Sequence, residues 1–254
     1  DSLKRYYELK GKKVLLSTGT DEHGLKIQQA AIKENKSPQE FCDQVSKRFL
    51  ELFDTANISY TTFVRTTNQR HKETVKYFWN QLTNGGYIYK GAHEGWYSIS
   101  DEAFYNASQV CETETAGGGR IRVAIESGQP VEWTTEDNYK FTLSKFPSEL
   151  IRWLDDNPDV IVPSSRYNEV RSLTKAELSD LSVSRPRSRL NWGIGVPGDD
   201  EQVIYVWLDA LVNYLTVCGY PWNTKDEGET RGFEGAELNA WPADVHVVGK
   251  DIIK

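Results

Sequence analysis

The texture of the sequence changes twice, and the order of those changes limits the fold more than any single residue does. Up to about residue 86, strand-like and helical patterns alternate. "KKVLLST" reads as a short buried strand and "GLKIQQAAIKENK" as the amphipathic helix that follows it. "SPQE" sets Ser37 as N-cap, Pro38 at the first helical position and Glu40 to close a capping box. The helix it opens carries Phe41, Val45, Phe49, Leu52 and Phe53 on roughly one face. "YTTFVRTT" is strand-like, and "NQRHKETVKYFWNQLTNGG" is a helix stopped at Gly85-Gly86. From about residue 87, "GYIYKGAHEGWYSISDEAFY" and "QPVEWTTEDNYKFTLS" are aromatic and β-branched, broken by "AGGGR" and "SGQP" turns, which predicts a small β-rich module. "PSELIRWLDDNPDVIVP" and "RYNEVRSLTKAELSDL" return to helix. "VIYVWLDALVNYLTVCGY" then reads as strand followed by helix, and "ADVHVVGKDII" as a closing strand.

An α/β segment, a β-rich one and a second α/β segment are met most simply by an α/β fold of the Rossmann-like type. Its parallel-sheet nucleotide fold would be split by an inserted β-rich connective domain. The expected boundaries are 1–66 for the first half, 67–200 for the insertion (β-rich, then helical) and 201–254 for the second half. The 254 residues suffice for one large core or two lobes.

Composition excludes several classes of function. No run approaches the ~20 apolar residues of a membrane helix. A net charge of −7 argues against a general nucleic-acid binder, though not against a nucleic-acid substrate held mainly by another domain. Cys42, Cys111 and Cys218 are odd in number and far apart, which fits a reduced intracellular setting better than a disulfide framework. The three cysteines and four histidines form no CxxC and no HxxxH, so a zinc knuckle is set aside and no metal site is expected. There is no methionine, and the chain stops at "VVGKDIIK", so a piece of a longer protein is expected.

In open parallel sheets, ligands bind beyond the carboxyl ends of the strands. Three segments end a strand with unusual residues: "STGTDEHG", "VIYVWLDALVNY" and "HVVGKDII". If those strands are neighbours, Asp21, Trp207, Tyr214, Gly249 and Asp251 converge on one crevice. Asp21 then suits a substrate ammonium, or else it merely N-caps the helix beginning near Gly24. Trp207, Ala210, Leu211 and Tyr214 suit a wall around a small apolar side chain, or else pack as core. Gly249 admits close approach of a backbone or nucleotide, and Asp251 suits a ribose hydroxyl. His23, beside two acids, is either a helix-start hydrogen-bonding residue or part of the site.

Taken together, "STGTDEHG … VIYVWLDALVNYLT … HVVGKDII", with "GWYSISDEAFY", "SGQPVEWTTEDNY" and "SVSRPRSRLNWGIGVPGDD" in order between them, resemble the methionyl-tRNA synthetase family of bacterial and organellar type. Valyl, leucyl and isoleucyl synthetases share the fold and partial motifs. The resemblance implies a class I ligase that adenylates methionine with ATP, Mg²⁺ accompanying the nucleotide, and transfers it to tRNA(Met). By position it implies that Asp21 grips the amino acid's ammonium and that Arg185 is coupled to Asp21. Trp207, Ala210, Leu211, Tyr214 and Ile252 would line the methionine pocket, with the Tyr214 hydroxyl near the thioether. Gly249 and Asp251 would lie on the adenosine side. Glu22 and His23 are read as shaping the site rather than performing chemistry. The family's HIGH and KMSKS motifs are not in these residues, so little activation activity is expected of 1–254 alone. "GWYSISDEAFY" lacks the cysteines that hold zinc in many relatives, so no structural zinc is expected. That feature leans toward a mitochondrial, fungal enzyme of the matrix, with the cytoplasm as the alternative; oligomeric state is left open. The rival outside catalysis is a tRNA-binding or assembly protein that kept the fold.

Overall fold

The computed structural model describes residues 1–101, 103–114, 118–176, 178–221 and 241–249. It opens with helix α1 (Ser2–Leu9), strand β1 (Ser17–Thr20), α2 (Leu25–Lys33), α3 (Pro38–Thr55), β2 (Thr62–Arg65) and α4 (Gln69–Asn84). The β-rich stretch follows as β3 (Ile88–Ser98), β4 (Ala103–Tyr105), β5 (Val110–Glu114), β6 (Arg120–Ala124) and β7 (Glu132–Phe141). Then come α5 (Pro147–Asp156), α6 (Ser164–Lys175), β8 (Leu181–Ser182), β9 (Ser184–Pro186), β10 (Gly195–Val196), β11 (Asp199–Ile204) and α7 (Val206–Val217).

β1 and β2 pair in parallel with helices between them, the βαβ unit expected of a nucleotide fold. β3 and β7 form a long antiparallel ribbon flanked by β4 and β8, and β5 pairs with β6 as a separate hairpin. The capping box of α3 forms as the sequence predicts: Glu40 N–H donates to Ser37 Oγ, and Glu40 returns a carboxylate to the Ser37 N–H.

Four expectations are corrected. The "KKVLLST" strand begins only at Ser17 and is half exposed, not buried. Leu16 N–H donates to the Thr61 hydroxyl at 3.0 Å, so a side chain takes the place of a ladder carbonyl and regular pairing starts one residue later. On α3, Phe41, Val45 and Phe49 do share one face, but the helix's buried positions are Cys42 and Ser46 while Phe49 and Leu52 are exposed; Cys42 lies against the Glu22 carbonyl of the β1–α2 turn. The strand of "VIYVWLDALVNY", β11, is not a neighbour of β1. It lies between β9 and β10 in an antiparallel sheet. Finally, the described part of "ADVHVVGKDII" carries no strand, and Val245, Val247 and Val248 are exposed. Apolar alternation makes a strand only where a neighbour supplies backbone hydrogen bonds.

The principal core joins segments far apart in sequence. Val75 and Trp79 of α4, Ile88 of β3, Val183, Ile194, Val196 and Ile204 around the β9–β11 sheet, and Val212 of α7 pack together. Trp79 meets the Tyr139 ring edge-on at 5.4 Å between centroids. One close approach is obligatory: a Cβ at Gly19 would lie 1.9 Å from the Val64 carbonyl oxygen, so only glycine lets β1 reach β2 there.

Candidate active site

Asp21-Glu22-His23-Gly24 leaves the carboxyl end of β1, and its four residues have different fates. Glu22 is buried and heavily bonded. Its Oε1 accepts from Thr20 Oγ1 and Arg65 Nε, each at 2.7 Å, and its Oε2 accepts from the Thr67 hydroxyl. Its N–H donates to Thr66 Oγ1 at 2.9 Å, and its carbonyl accepts from Trp192 Nε1 at 2.6 Å. Arg65 also reaches Asp43 at 2.6 Å, and its hydrogen bond holds the Asp43 carboxyl below the usual range. Burying Glu22 costs little net energy because nearly every lone pair is answered.

His23 turns into the protein. Its Nδ1 lies 2.6 Å from Asp209 Oδ2 on α7, and its ring packs on Trp192. The other Asp209 oxygen is 2.7 Å from His71 Nε2 on α4, and His71 Nδ1 is 3.0 Å from Thr216 Oγ1, back on α7. Asp209 is only 1% exposed and His71 wholly buried. Burial alone would raise the Asp209 carboxyl, but the hydrogen bonds of His23 and then His71 outweigh it and hold it below the ordinary range. An ionised Asp209 accepts only, so His23 carries a proton on Nδ1 and His71 one on Nε2. One carboxylate thus ties together the β1–α2 turn, α4 and α7.

Gly24 adopts φ +102 and is the N-cap of α2, without a side-chain cap. Asp21 therefore does not cap that helix; it stands exposed and lines a cavity of about 250 Å³ with Thr20, Glu22, Ile27, Phe41 and Cys42. The walls come from β1, α2 and α3, not from α7. The turn is braced from the far side of the sequence: Gly24 N–H donates to the Trp192 carbonyl at 3.2 Å, and the Gln28 side-chain oxygen accepts from the Asn191 and Trp192 N–H groups at 3.0 Å.

On α7, Trp207, Ala210, Leu211 and Tyr214 fall at i, i+3, i+4 and i+7 and so share one face. Trp207 is 42% and Leu211 46% exposed, which removes the reading of these two residues as packed core. Tyr214 meets His246 edge-on at 4.7 Å, which brings α7 against the segment that ends in Gly249. Gly249 has open space where a side chain would begin, so its backbone can be approached. Asp251 and Ile252 lie outside the described residues.

Arg185, on β9, is buried beneath aromatic rings: its guanidinium carbon sits 4.0 Å from the centre of Tyr205 and 5.3 Å from that of Phe104. Its Nη1 donates to Ser182 Oγ at 2.9 Å and to the Ser184 carbonyl at 2.8 Å; none of these partners is Asp21. Among the described residues, no group of three or more His, Cys, Asp or Glu side chains is arranged to hold a metal ion. No described helix is long and apolar enough to cross a membrane.

Sequence reasoning missed Asp209, His71, Thr216 and Trp192. A carboxylate inside the apolar run "VWLDALV" was the available signal, since such a group is buried only where partners await it.

A parallel strand pair with a carboxylate at its mouth, tied through His23 and Asp209 to α7, fits the nucleotide-fold part of a class I synthetase. The chain belongs to the family described as "tRNA synthetases class I (M)", whose model matches residues 1–254. It is 50% identical over 258 residues to the mitochondrial methionine--tRNA ligase of Homo sapiens, covering 100% of this chain and 41% of that protein. It is 48% identical to the probable mitochondrial methionine--tRNA ligase of Neurospora crassa, covering 100% of this chain and 40% of that one. Among solved structures it matches Mycobacterium tuberculosis methionyl-tRNA synthetase bound by methionyl-adenylate, with a TM-score of 0.86 and 38% identity. That match covers 99% of this chain and 47% of the other. The chain thus spans about two fifths of the length of these curated relatives.

Proposed function

We propose that the whole protein containing this chain is a methionine–tRNA ligase that works in mitochondria. The observation that carries this reading is the face of Trp207, Ala210, Leu211 and Tyr214, with Trp207 and Leu211 exposed, on a helix joined through Asp209 to the turn that bears Asp21. The relatives' names and the neighbour bound by methionyl-adenylate support it.

In this reading Asp21 pairs with the ammonium of methionine, and the α7 face encloses its side chain with the Tyr214 hydroxyl toward sulfur. The substrate carboxylate attacks the α-phosphorus of ATP in line, forming the acyl–phosphate bond as the bond to pyrophosphate breaks. A ribose hydroxyl at the tRNA 3′ end then attacks the acyl carbon and releases AMP. Neither step needs a protein nucleophile; rate comes from positioning and from stabilising phosphate charge. Gly249 and Asp251 serve the adenosine side, and Arg185 stiffens the β9–α7 junction beneath Tyr205. Mg²⁺ enters with the ATP phosphates, in the manner usual for that ion. Residues 1–66 and 201–254 would form the nucleotide-fold halves, with 67–200 the connective insertion.

Amino-acid-dependent ATP–pyrophosphate exchange by the full-length protein tests the reading. Exchange driven by methionine, with leucine, valine and isoleucine at least 100-fold poorer in kcat/KM, is the expected result. Faster exchange with one of those three, or none with any, would refute it. The margin is demanding, because an apolar pocket discriminates by only ~1–3 kcal/mol per methylene.

A further inference from the structure

The His23–Asp209–His71 cluster lies on the side of α7 away from the proposed methionine wall. Asp209, Val212 and Thr216 form the buried side, while Trp207 and Leu211 face out. It does more than fill the interior. Both carboxylate oxygens are used, by imidazoles from two different elements, at 2.6 and 2.7 Å. Thr216 extends the chain to a second point about two turns along α7. A helix held at one point can pivot; one held at Asp209 and Thr216 is fixed in rotation as well as in position. His23 is two residues from Asp21, so the same carboxylate sets the distance between the turn and the helix.

We propose that Asp209 is a positioning residue for methionine: with His23 and His71 it locks the α7 apolar face in register with the Asp21 turn. This rests on the methionine reading above. The lock should act first on amino-acid binding; the nucleotide side is carried by the segment around Gly249, which meets α7 at the Tyr214 ring.

The test is steady-state exchange kinetics on the full-length protein, with thermal melting alongside. Asp209→Asn keeps the shape and removes the charge. It should raise the methionine KM at least tenfold while the ATP KM stays within twofold. Thr216→Val, which removes only the outer hydroxyl, should move the methionine KM in the same direction by about two- to threefold. If Asp209→Asn does not fold, Thr216→Val and His71→Gln carry the test. The proposal is overturned if the folded variants keep both KM values and kcat within twofold of the parent, or if the two KM values rise together as general loosening requires. A parent protein that gives no methionine-dependent exchange removes the methionine reading and this proposal with it. That failure is told apart because it lies in the parent rather than in the variants.

Discussion

The two faces of α7 reverse the ordinary amphipathic pattern. The face toward the protein holds a carboxylate, Asp209, and a hydroxyl, Thr216, both essentially buried; the face toward solvent holds Trp207 and Leu211, both more than two fifths exposed. A soluble helix normally hides its tryptophan and shows its aspartate. The buried face is stable because every strong acceptor on Asp209 has a partner, so the charge is compensated. On the outer face Trp207 and Leu211 stay more than two fifths exposed, leaving apolar surface that folding does not cover. In the proposed function the polar inner face positions the helix and the apolar outer face binds methionine.

The sharpest way to break this contrast is to strip the inner face. Asp209→Ala leaves two buried imidazoles without their acceptor, and should cost about 3–5 kcal/mol of stability by chemical denaturation. An effect below 1 kcal/mol would mean that the cluster is not a coupled unit. Gly19→Ala should be of similar severity for a different reason. A Cβ set 1.9 Å from the Val64 carbonyl forces β1 and β2 apart, and so displaces the Asp21 turn.

The outer face should behave oppositely. Trp207→Ala is expected to change stability by less than about 1 kcal/mol, because the ring is half exposed, yet to raise the methionine KM of the full-length protein at least tenfold. A large loss of stability with unchanged KM would return Trp207 to a packing role.

The same contrast has a pH signature. The Asp209 carboxyl titrates below its ordinary value in the folded protein, so its stabilisation is fully present above about pH 4. It is lost as the pH falls through the lower folded-state value. Acid unfolding of Asp209→Asn should therefore be flatter than the parent's in that window; parallel curves would contradict the assignment.

The smallest effect concerns the thiols. Burial, then the Glu22 charge, push the Cys42 thiol up to about 12, and it sits against the Glu22 carbonyl at 3.4 Å. Iodoacetamide at pH 8 should alkylate exposed Cys111 first and leave Cys42 unmodified until the protein unfolds, as read by peptide mass spectrometry.

These contrasts also mark how far the sequence could be read. Local signals were legible wherever the chain answers itself. The Ser37–Glu40 cap, the Gly85-Gly86 stop and the β-rich texture after residue 87 all act over a few residues, and each appears as expected. The motif order carried the family. What the sequence alone hid were partners brought from afar. Nothing near His23 announces Asp209, 186 residues away, and nothing near Glu22 announces Arg65 or Trp192. The valines at 245, 247 and 248 misled for the same reason: alternation was visible, but a hydrogen-bonding neighbour was not.

In the proposed function the turn after β1 separates its tasks: Glu22 and His23 hold the fold, and exposed Asp21 meets the substrate. The most direct measurement is methionine-dependent pyrophosphate exchange by full-length Asp21→Ala, beside its melting curve. The expected result is a melting temperature within 2 °C of the parent, as for an exposed side chain, and exchange reduced by at least 1,000-fold. An exchange rate near the parent's, from a protein that melts normally, would contradict it.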